Sequence, residues 1–183
     1  AARLVFRFPL RRTLKTSEVK AAAAANLRNV TIADAVKGQA LTAGTLLLKV
    51  DTTGLDISGS AKLGPVPVKL KWFENFAGTA RYRRRYEVTA SLDEAQRATL
   101  GLDLAPYLRG TVPVKLVLLE DGRGEGRLAV KVELKGAAMA LPLFGWTKPA
   151  GKDGIVWLNF LIREGRVREL SEFSLRTTDL EAG

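Results

Sequence analysis

The sequence contains no cysteine, no histidine and a single methionine among its 183 residues. These absences exclude zinc sites of the usual Cys/His kind, and they exclude Ser-His-Asp and Cys-His catalysis. They also exclude a disulfide framework, although they do not reveal the redox compartment. We therefore predict no enzyme, no catalytic residue, no metal and no cofactor.

The chain has no run of 18 or more apolar residues and no segment that resembles a signal peptide. Its length and its 46% content of hydrophobic residues suffice for one domain with a sizeable core. An alternating pattern, LVFRFPL, is already present at Leu4–Leu10. We interpret residues 1–183 as a single β-rich segment of a longer protein, whose targeting or anchoring segment lies outside it.

Positive charge exceeds negative charge, because 29 Lys and Arg residues against 19 Asp and Glu residues give a net charge of +10. Such a balance favours polyanionic partners, namely nucleic acid, anionic lipid head groups or lipopolysaccharide. The charge alone does not choose among the three.

The clearest pattern along the chain has a period of two. Residues Arg127–Lys135 alternate between an apolar and a charged face, and Tyr86–Leu92 and Leu46–Val50 do the same. Strict alternation is typical of antiparallel strands with one dry and one wet face. The alanine run Ala21–Ala25 shares this period with its flanks, so we interpret it as strand. Glycine-rich turns, among them GRGEG at 122–126, separate the strands.

Two segments depart from the strand pattern. The stretch from Ser91 to Arg97 reads as a helix start, with Ser91 or Asp93 as the cap. Its pattern continues weakly to Leu108, with a break near Gly101. The segment Leu141–Gly154 contains two prolines and a tryptophan. We expect it to be an ordered crossing loop that packs against apolar surface before a strand at 155–160.

The pentapeptide VPVKL occurs twice, starting at Val66 and at Val112, and each copy closely follows a glycine. Proline has no N–H to donate, which suits a strand start or a sheet edge. Each copy precedes a turn and a return strand, so a strand–turn–strand unit repeats from near residues 64 and 110. A repeat period of forty to fifty residues indicates a stacked array. The alternative is that two typical strand sequences match by chance.

Arginines are concentrated in RYRRRY, from Arg81 to Tyr86. One interpretation is a phosphate-binding stripe with stacking tyrosines, which would contact nucleic acid or lipid phosphate. The other is a solvated hairpin strand that carries charge on one face. The second interpretation is favoured.

Three segments carry a resemblance to known proteins: ALPLFGWTKPAGKDG (140–154), SLDEAQRATLGLDLAPYLRGTVPVKL (91–116) and LDISGSAKLGPVPVKLKWFENF (55–76). In them the chain resembles the AsmA-like superfamily, in particular its large YhdP-type envelope proteins. The segments cover most of residues 55–154, and the first two are the more specific. Residues 1–54 and 155–183 fit only as a general β pattern.

The resemblance implies a mainly β fold: a curved, elongated antiparallel sheet, shaped like a groove or taco, of repeated strand–turn–strand units with one short helix. It implies a bridge-like lipid-transfer protein of the Gram-negative periplasm, held to the inner membrane by an anchor outside this chain. The implied partners are phospholipid or another envelope lipid and neighbouring segments of the same chain. No catalytic residue is implied.

Alternation and resemblance together define the predicted sites. The residues predicted to line an apolar lipid groove are Leu46, Leu48, Val68, Leu70, Val114, Leu116, Leu118, Val130, Val132 and Leu134. The residues predicted to contact anionic head groups are Arg81, Arg83, Arg84 and Arg85. Two other functions stay open: a structural or protein-docking segment of an envelope assembly, and, less favoured, a basic β-fold that binds nucleic acid.

Overall fold

The computed structural model describes residues 2–7, 20–36, 38–78, 80–178 and 181–182. Within these ranges the chain forms fourteen strands, one α-helix and one 3-10 turn. In chain order the elements are β1 (Ala2–Arg7), β2 (Lys20–Val36), β3 (Gln39–Asp51), β4 (Gly54–Leu63), β5 (Val66–Asn75), β6 (Arg84–Leu92), α1 (Glu94–Thr99), β7 (Leu108–Gly110), β8 (Val112–Glu120), β9 (Glu125–Glu133), β10 (Ala137–Leu141), the 3-10 turn (Pro142–Phe144), β11 (Trp146–Lys148), β12 (Gly154–Arg163), β13 (Arg166–Thr177) and β14 (Glu181–Ala182).

One large antiparallel sheet organises the molecule. Its eleven strands follow the order β1-β2-β3-β4-β5-β6-β8-β9-β12-β13-β14, so neighbours in the sheet are nearly always neighbours in the chain. The sheet is open and is not closed into a barrel. The predicted fold, a mainly β chain with a curved, elongated antiparallel sheet and one short helix, is confirmed.

Register shifts interrupt the sheet on both sides, in β2 and β3 and again between β12 and β13. Asn29, Asp34 and Ala43 have positive φ values of 54°, 51° and 51°, and the strand register shifts beside them. Bulges of this kind bend a strand and increase its twist. The predicted alanine strand is confirmed as the first part of β2, where Ala23 and Ala25 lie opposite Val50 and Leu48.

The predicted helix start and the predicted break near Gly101 are confirmed, but the weak helical continuation to Leu108 is wrong. Asp93 caps α1 by accepting a hydrogen bond from Gln96 N at 2.8 Å, and the Gln96 side chain accepts one from Asp93 N at 3.1 Å. This capping box satisfies two backbone donors. The helix ends at Thr99, and Gly101, with φ of 77°, turns the chain away. Leu108 then begins a strand instead of ending the helix.

A second, three-stranded sheet in the order β11-β10-β7 lies beside α1. We call α1 together with this sheet the cap. Residues 141–154, predicted as a crossing loop, supply the 3-10 turn and β11 to the cap before β12 begins at Gly154. The sequence did not indicate these short strands.

Two buried cations hold the cap in place. The guanidinium of Arg97, only 3% exposed, donates to the carbonyl oxygens of Leu92, Gly110 and Leu108 at 3.0, 2.7 and 2.9 Å. The ammonium of Lys148 donates to those of Leu134, Ala137 and Pro149 at 2.7, 2.8 and 3.2 Å. Burial lowers the pKa of Lys148. Each cation thus donates to backbone carbonyls at or next to the ends of strands, which ties these strand ends together.

The main core lies between the cap and one side of the large sheet. Leu108 and Ala137 of the cap pack with Val66, Val112 and Leu134 of the large sheet in one buried cluster. No helix in the described ranges has the length and apolar character needed to cross a bilayer.

Candidate functional site

The face of the large sheet that meets the cap is apolar in successive transverse rows. Residues directly opposite one another on antiparallel strands point to the same face, so the strand register defines each row. The first row, next to the cap, consists of Ala61, Val68, Ala90, Val114, Val132, Val156 and Leu175. Its members Ala61, Val68 and Leu175 are buried in the core cluster.

Two further apolar rows continue beyond the first and cross nine strands, β2 to β13. The second row consists of Leu27, Leu46, Gly59, Leu70, Val88, Leu116, Val130, Leu158 and Phe173. The third row consists of Ala25, Leu48, Ile57, Trp72, Tyr86, Leu118, Leu128, Phe160 and Leu170. We call these two rows the apolar floor. Eight strand spacings of about 4.8 Å make the floor about 38 Å long.

The apolar floor keeps part of its surface exposed. Leu116, Leu118, Val130 and Leu158 are half-buried, unlike the buried residues under the cap. At β13 the exposure is larger, with Phe173 43% and Leu170 49% accessible. The floor is therefore an apolar surface on an open sheet, with neither the cap nor a second sheet of the described residues sealing it.

The opposite face of the same strands is largely polar. A row on that face contains Ser60, Lys69, Thr89, Lys115 and Lys131. The two faces alternate residue by residue, as the sequence predicted, and Lys69, Lys115 and Lys131 lie on the face away from the floor.

A fourth row on the floor's side carries charge at its centre. Glu74, Arg84 and Glu120 lie side by side on β5, β6 and β8. Glu74 is only 7% exposed, and its Oε1 lies 3.2 Å from Arg83 Nε and 3.3 Å from Arg84 Nε. The apolar floor is thus bordered by the cap on one side and, at its centre, by a charged row on the other, in which Glu74 is buried.

An aromatic pair separates the charged row from the rest of the floor. Trp72 and Tyr86 stack with ring centroids 5.6 Å apart. Burial raises the pKa of Tyr86 and the charge of Glu120 raises it further, so the phenol stays protonated. The indole Nε1 of Trp72 is buried and makes no hydrogen bond to the described residues.

The ten predicted groove residues all lie on the floor's side of the sheet, but they differ in accessibility. Leu134 is 1% exposed beneath the cap, and Leu46 and Val68 are each 6% exposed. The remaining seven are half-buried: Leu48, Leu70, Val114, Leu116, Leu118, Val130 and Val132. Sequence alternation identified the face but could not identify the part that the cap covers.

The four predicted head-group arginines do not form one stripe. Arg84 lies in the charged row on the floor's side, and Arg83 contacts the same Glu74. Arg85 lies on the polar face, where its guanidinium bonds Glu87 and lowers the pKa of that carboxyl. The guanidinium of Arg81 lies 5.4 Å from the ring centroid of Tyr82. The continuous phosphate stripe of the nucleic-acid hypothesis is therefore absent from this strand.

Comparison with protein-family models finds no match, and neither comparison with curated proteins nor comparison with solved structures finds one. The structural features that bear on function are therefore the apolar floor, the cap and the charged row.

Proposed function

We propose that this chain binds the acyl chains of lipid on its apolar floor and is a segment of a bridge-like lipid-transfer protein. The observation that carries the proposal is the continuity of the second and third rows. They remain apolar across nine strands and half-buried over their central strands. A soluble protein rarely leaves such a surface uncovered unless it binds a partner there.

The floor suits hydrocarbon chains for a simple energetic reason. Each methylene that leaves water for an apolar surface stabilises the complex by about 0.8 kcal/mol, and this contribution needs no special side-chain chemistry. One leaflet of a bilayer is about 15 Å of hydrocarbon, so a floor of about 38 Å holds an acyl chain along its length with space beyond.

The direction of the floor supports transport along the sheet. The rows run perpendicular to the strands, so each added hairpin lengthens them. Among the described residues β1 and β14 are the outer strands of the sheet, and a neighbouring segment can add strands to such edges. In this proposal phospholipid moves between the inner and outer membranes of a Gram-negative envelope. The periplasmic location and the inner-membrane anchor outside this chain rest on the AsmA-like resemblance.

The direct test is to identify what the purified protein carries. The chain is expressed in a bacterial host, extracted with organic solvent, and its lipids are measured by mass spectrometry against a protein of equal size. We expect co-purifying phospholipid and uptake of a fluorescent phospholipid. If neither is found, the floor is not a lipid site, and a protein-docking segment becomes the better explanation.

A further inference from the structure

A cavity lies at the end of the large sheet farthest from the cap, where the β8–β9 and β12–β13 turns close. Its volume is about 850 Å³. Four arginines line it: Arg81 from the segment before β6, Arg127 of β9, Arg163 at the end of β12 and Arg168 of β13. We call this cavity the arginine cleft. Its residues come from four separate parts of the chain, so the sequence run at 81–86 does not predict it.

Two of the three carboxylates in the arginine cleft already have hydrogen-bond partners. Asp121 accepts hydrogen bonds from the backbone N–H groups of Arg123 and Glu125 at 2.7 and 3.0 Å. Glu125 Oε1 accepts one from Arg163 Nη2 at 2.8 Å. Glu169 is the third carboxylate in the lining.

The arginines are less fully matched than the carboxylates. Within the part of the chain that the structure describes, Arg127 forms no ion pair, and Arg81 contacts the ring of Tyr82 and no carboxylate. Arg168 pairs at 3.6 Å with Glu164, which is not part of the cleft lining. The arginine cleft therefore has guanidinium groups free to bind an added anion.

The arginine cleft opens mainly on the polar face of the large sheet. Arg127 lies opposite Leu119 and Leu161, and Leu161 lies opposite Glu169, so these side chains point away from the apolar floor. Gly126 and Ile162 line the cleft and lie opposite each other in the fourth row, on the floor's side of the sheet. Two residues further along the same strands, Leu128 and Phe160 belong to the third row. Because Arg127 faces away from the floor, a phosphate site in the cleft does not depend on the floor.

We propose that the arginine cleft binds a phosphate group, with Arg81 and Arg127 as the principal contacts. A planar guanidinium donates two parallel hydrogen bonds to phosphate oxygens, and this pairing is stronger than a neutral hydrogen bond. Recognition of phosphate itself rests only on the cleft.

The test compares three probes by calorimetric titration at low salt: dioctanoylphosphatidylglycerol, dioctanoylglycerol without phosphate, and glycerol 3-phosphate. The variant is R81Q/R127Q. The control is R28Q, which removes one exposed arginine of β2 far from the cleft. Loss of charge-assisted hydrogen bonds should weaken phosphatidylglycerol binding by about tenfold or more in the double variant. Dioctanoylglycerol binding, and all binding to the control, should change by less than about twofold.

The probes also separate the two sources of phosphate. If glycerol 3-phosphate binds the wild type and not the double variant, the cleft recognises phosphate alone. This result supports the cleft even if no diacyl probe binds and the floor proposal fails. If only phosphatidylglycerol shows the loss, the cleft recognises a lipid head group. If the double variant binds phosphatidylglycerol as well as the control does, the cleft proposal is overturned, while lipid uptake by the floor is unaffected.

Discussion

Leu70 and Leu116 occupy the same place in the two copies of VPVKL, and both lie directly opposite Val88, one on each side of β6. Val68 and Val114 flank Ala90 in the same way, one row closer to the cap. The second copy therefore returns each apolar side chain to the row that its equivalent occupies in the first. Repetition of the pentapeptide extends two rows across the sheet without moving them, and this keeps the apolar surface continuous.

Gly59 is the one position in the second row without a side chain, and we predict that Gly59→Ala destabilises the fold. A Cβ there would overlap the carbonyl oxygen of Thr45 and lie 3.0 Å from Leu46 Cα. Relief of that overlap requires the β3–β4 ladder to separate, at a cost of about 2–3 kcal/mol in unfolding free energy. Urea denaturation measures the change.

Gly122→Ala is the matched control for that substitution, because a Cβ at Gly122 meets nothing within 4 Å. Its unfolding free energy should stay within about 0.5 kcal/mol of wild type. Equal stability of the two variants would mean that β3 and β4 are not paired as described.

Arg97 is predicted to be the residue on which the cap depends most. Arg97→Met leaves three buried carbonyl oxygens without their donor, and the expected loss is about 3–5 kcal/mol. The amide protons of β7 and β10 should then exchange with solvent faster, whereas those of β8 change less. Arg109→Met on β7, where the side chain is exposed, should leave both exchange and stability near wild type.

The parts of this structure that follow from local rules could be predicted, and the parts that depend on tertiary contact could not. Alternation in 127–135 fixes which side chains share a face, because a one-residue slip would reverse all of them. Asp93 and Gln96 form their capping box within four residues. By contrast, the short strand at Leu108 is held by Arg97 and by pairing with β10. No pattern within three residues can specify such a strand.

The same distinction holds for the candidate site. The apolar floor could be predicted because each strand contributes apolar residues that alternate within its own sequence. The arginine cleft was not, since it assembles Arg81, Arg127, Arg163 and Arg168 from distant parts of the chain. The prediction of a head-group site at 81–86 rested on the high local concentration of arginines. Two of these arginines, Arg83 and Arg84, instead pair with the single carboxylate of Glu74.

The β8–β9 turn should lose stability in acid because of Asp121. Hydrogen bonds from the backbone N–H of Arg123, and then of Glu125, lower the pKa of its carboxyl below the ordinary 3.8. The unfolded chain therefore binds a proton before the folded chain does. The contribution of Asp121 is full above about pH 4 and is lost as the pH falls through its lower folded-state pKa.

NMR titration of the Asp121 carboxyl carbon and urea denaturation between about pH 2 and 6 measure this effect. Asp121→Asn keeps an acceptor oxygen but does not titrate, so its acid-side decline in stability should be shallower than that of wild type. Identical declines would show that the turn does not depend on the charge of Asp121.

Leu116, in the middle of the second row, tests directly whether lipid binds the apolar floor. Leu116 lies between Val88 and Val130 and is half-buried, so Leu116→Asp should leave a folded protein that is about 1–3 kcal/mol less stable. An acyl chain cannot pair with the new carboxylate. Fluorescent lipid uptake should therefore fall steeply at temperatures where circular dichroism shows the variant still folded.

Lys69→Asp is the control that separates the floor from the rest of the sheet. Lys69 lies on the polar face opposite Ser60 and Thr89. It is preferable to Lys115, whose Nζ is 3.8 Å from Glu87 Oε2, because a carboxylate at 115 would also repel that glutamate. Lys69→Asp should fold and take up lipid nearly as wild type does. If Lys69→Asp loses uptake while Leu116→Asp retains it, lipid binds the polar face. If both retain it, lipid does not pass over β8, and the transport proposal loses its physical basis.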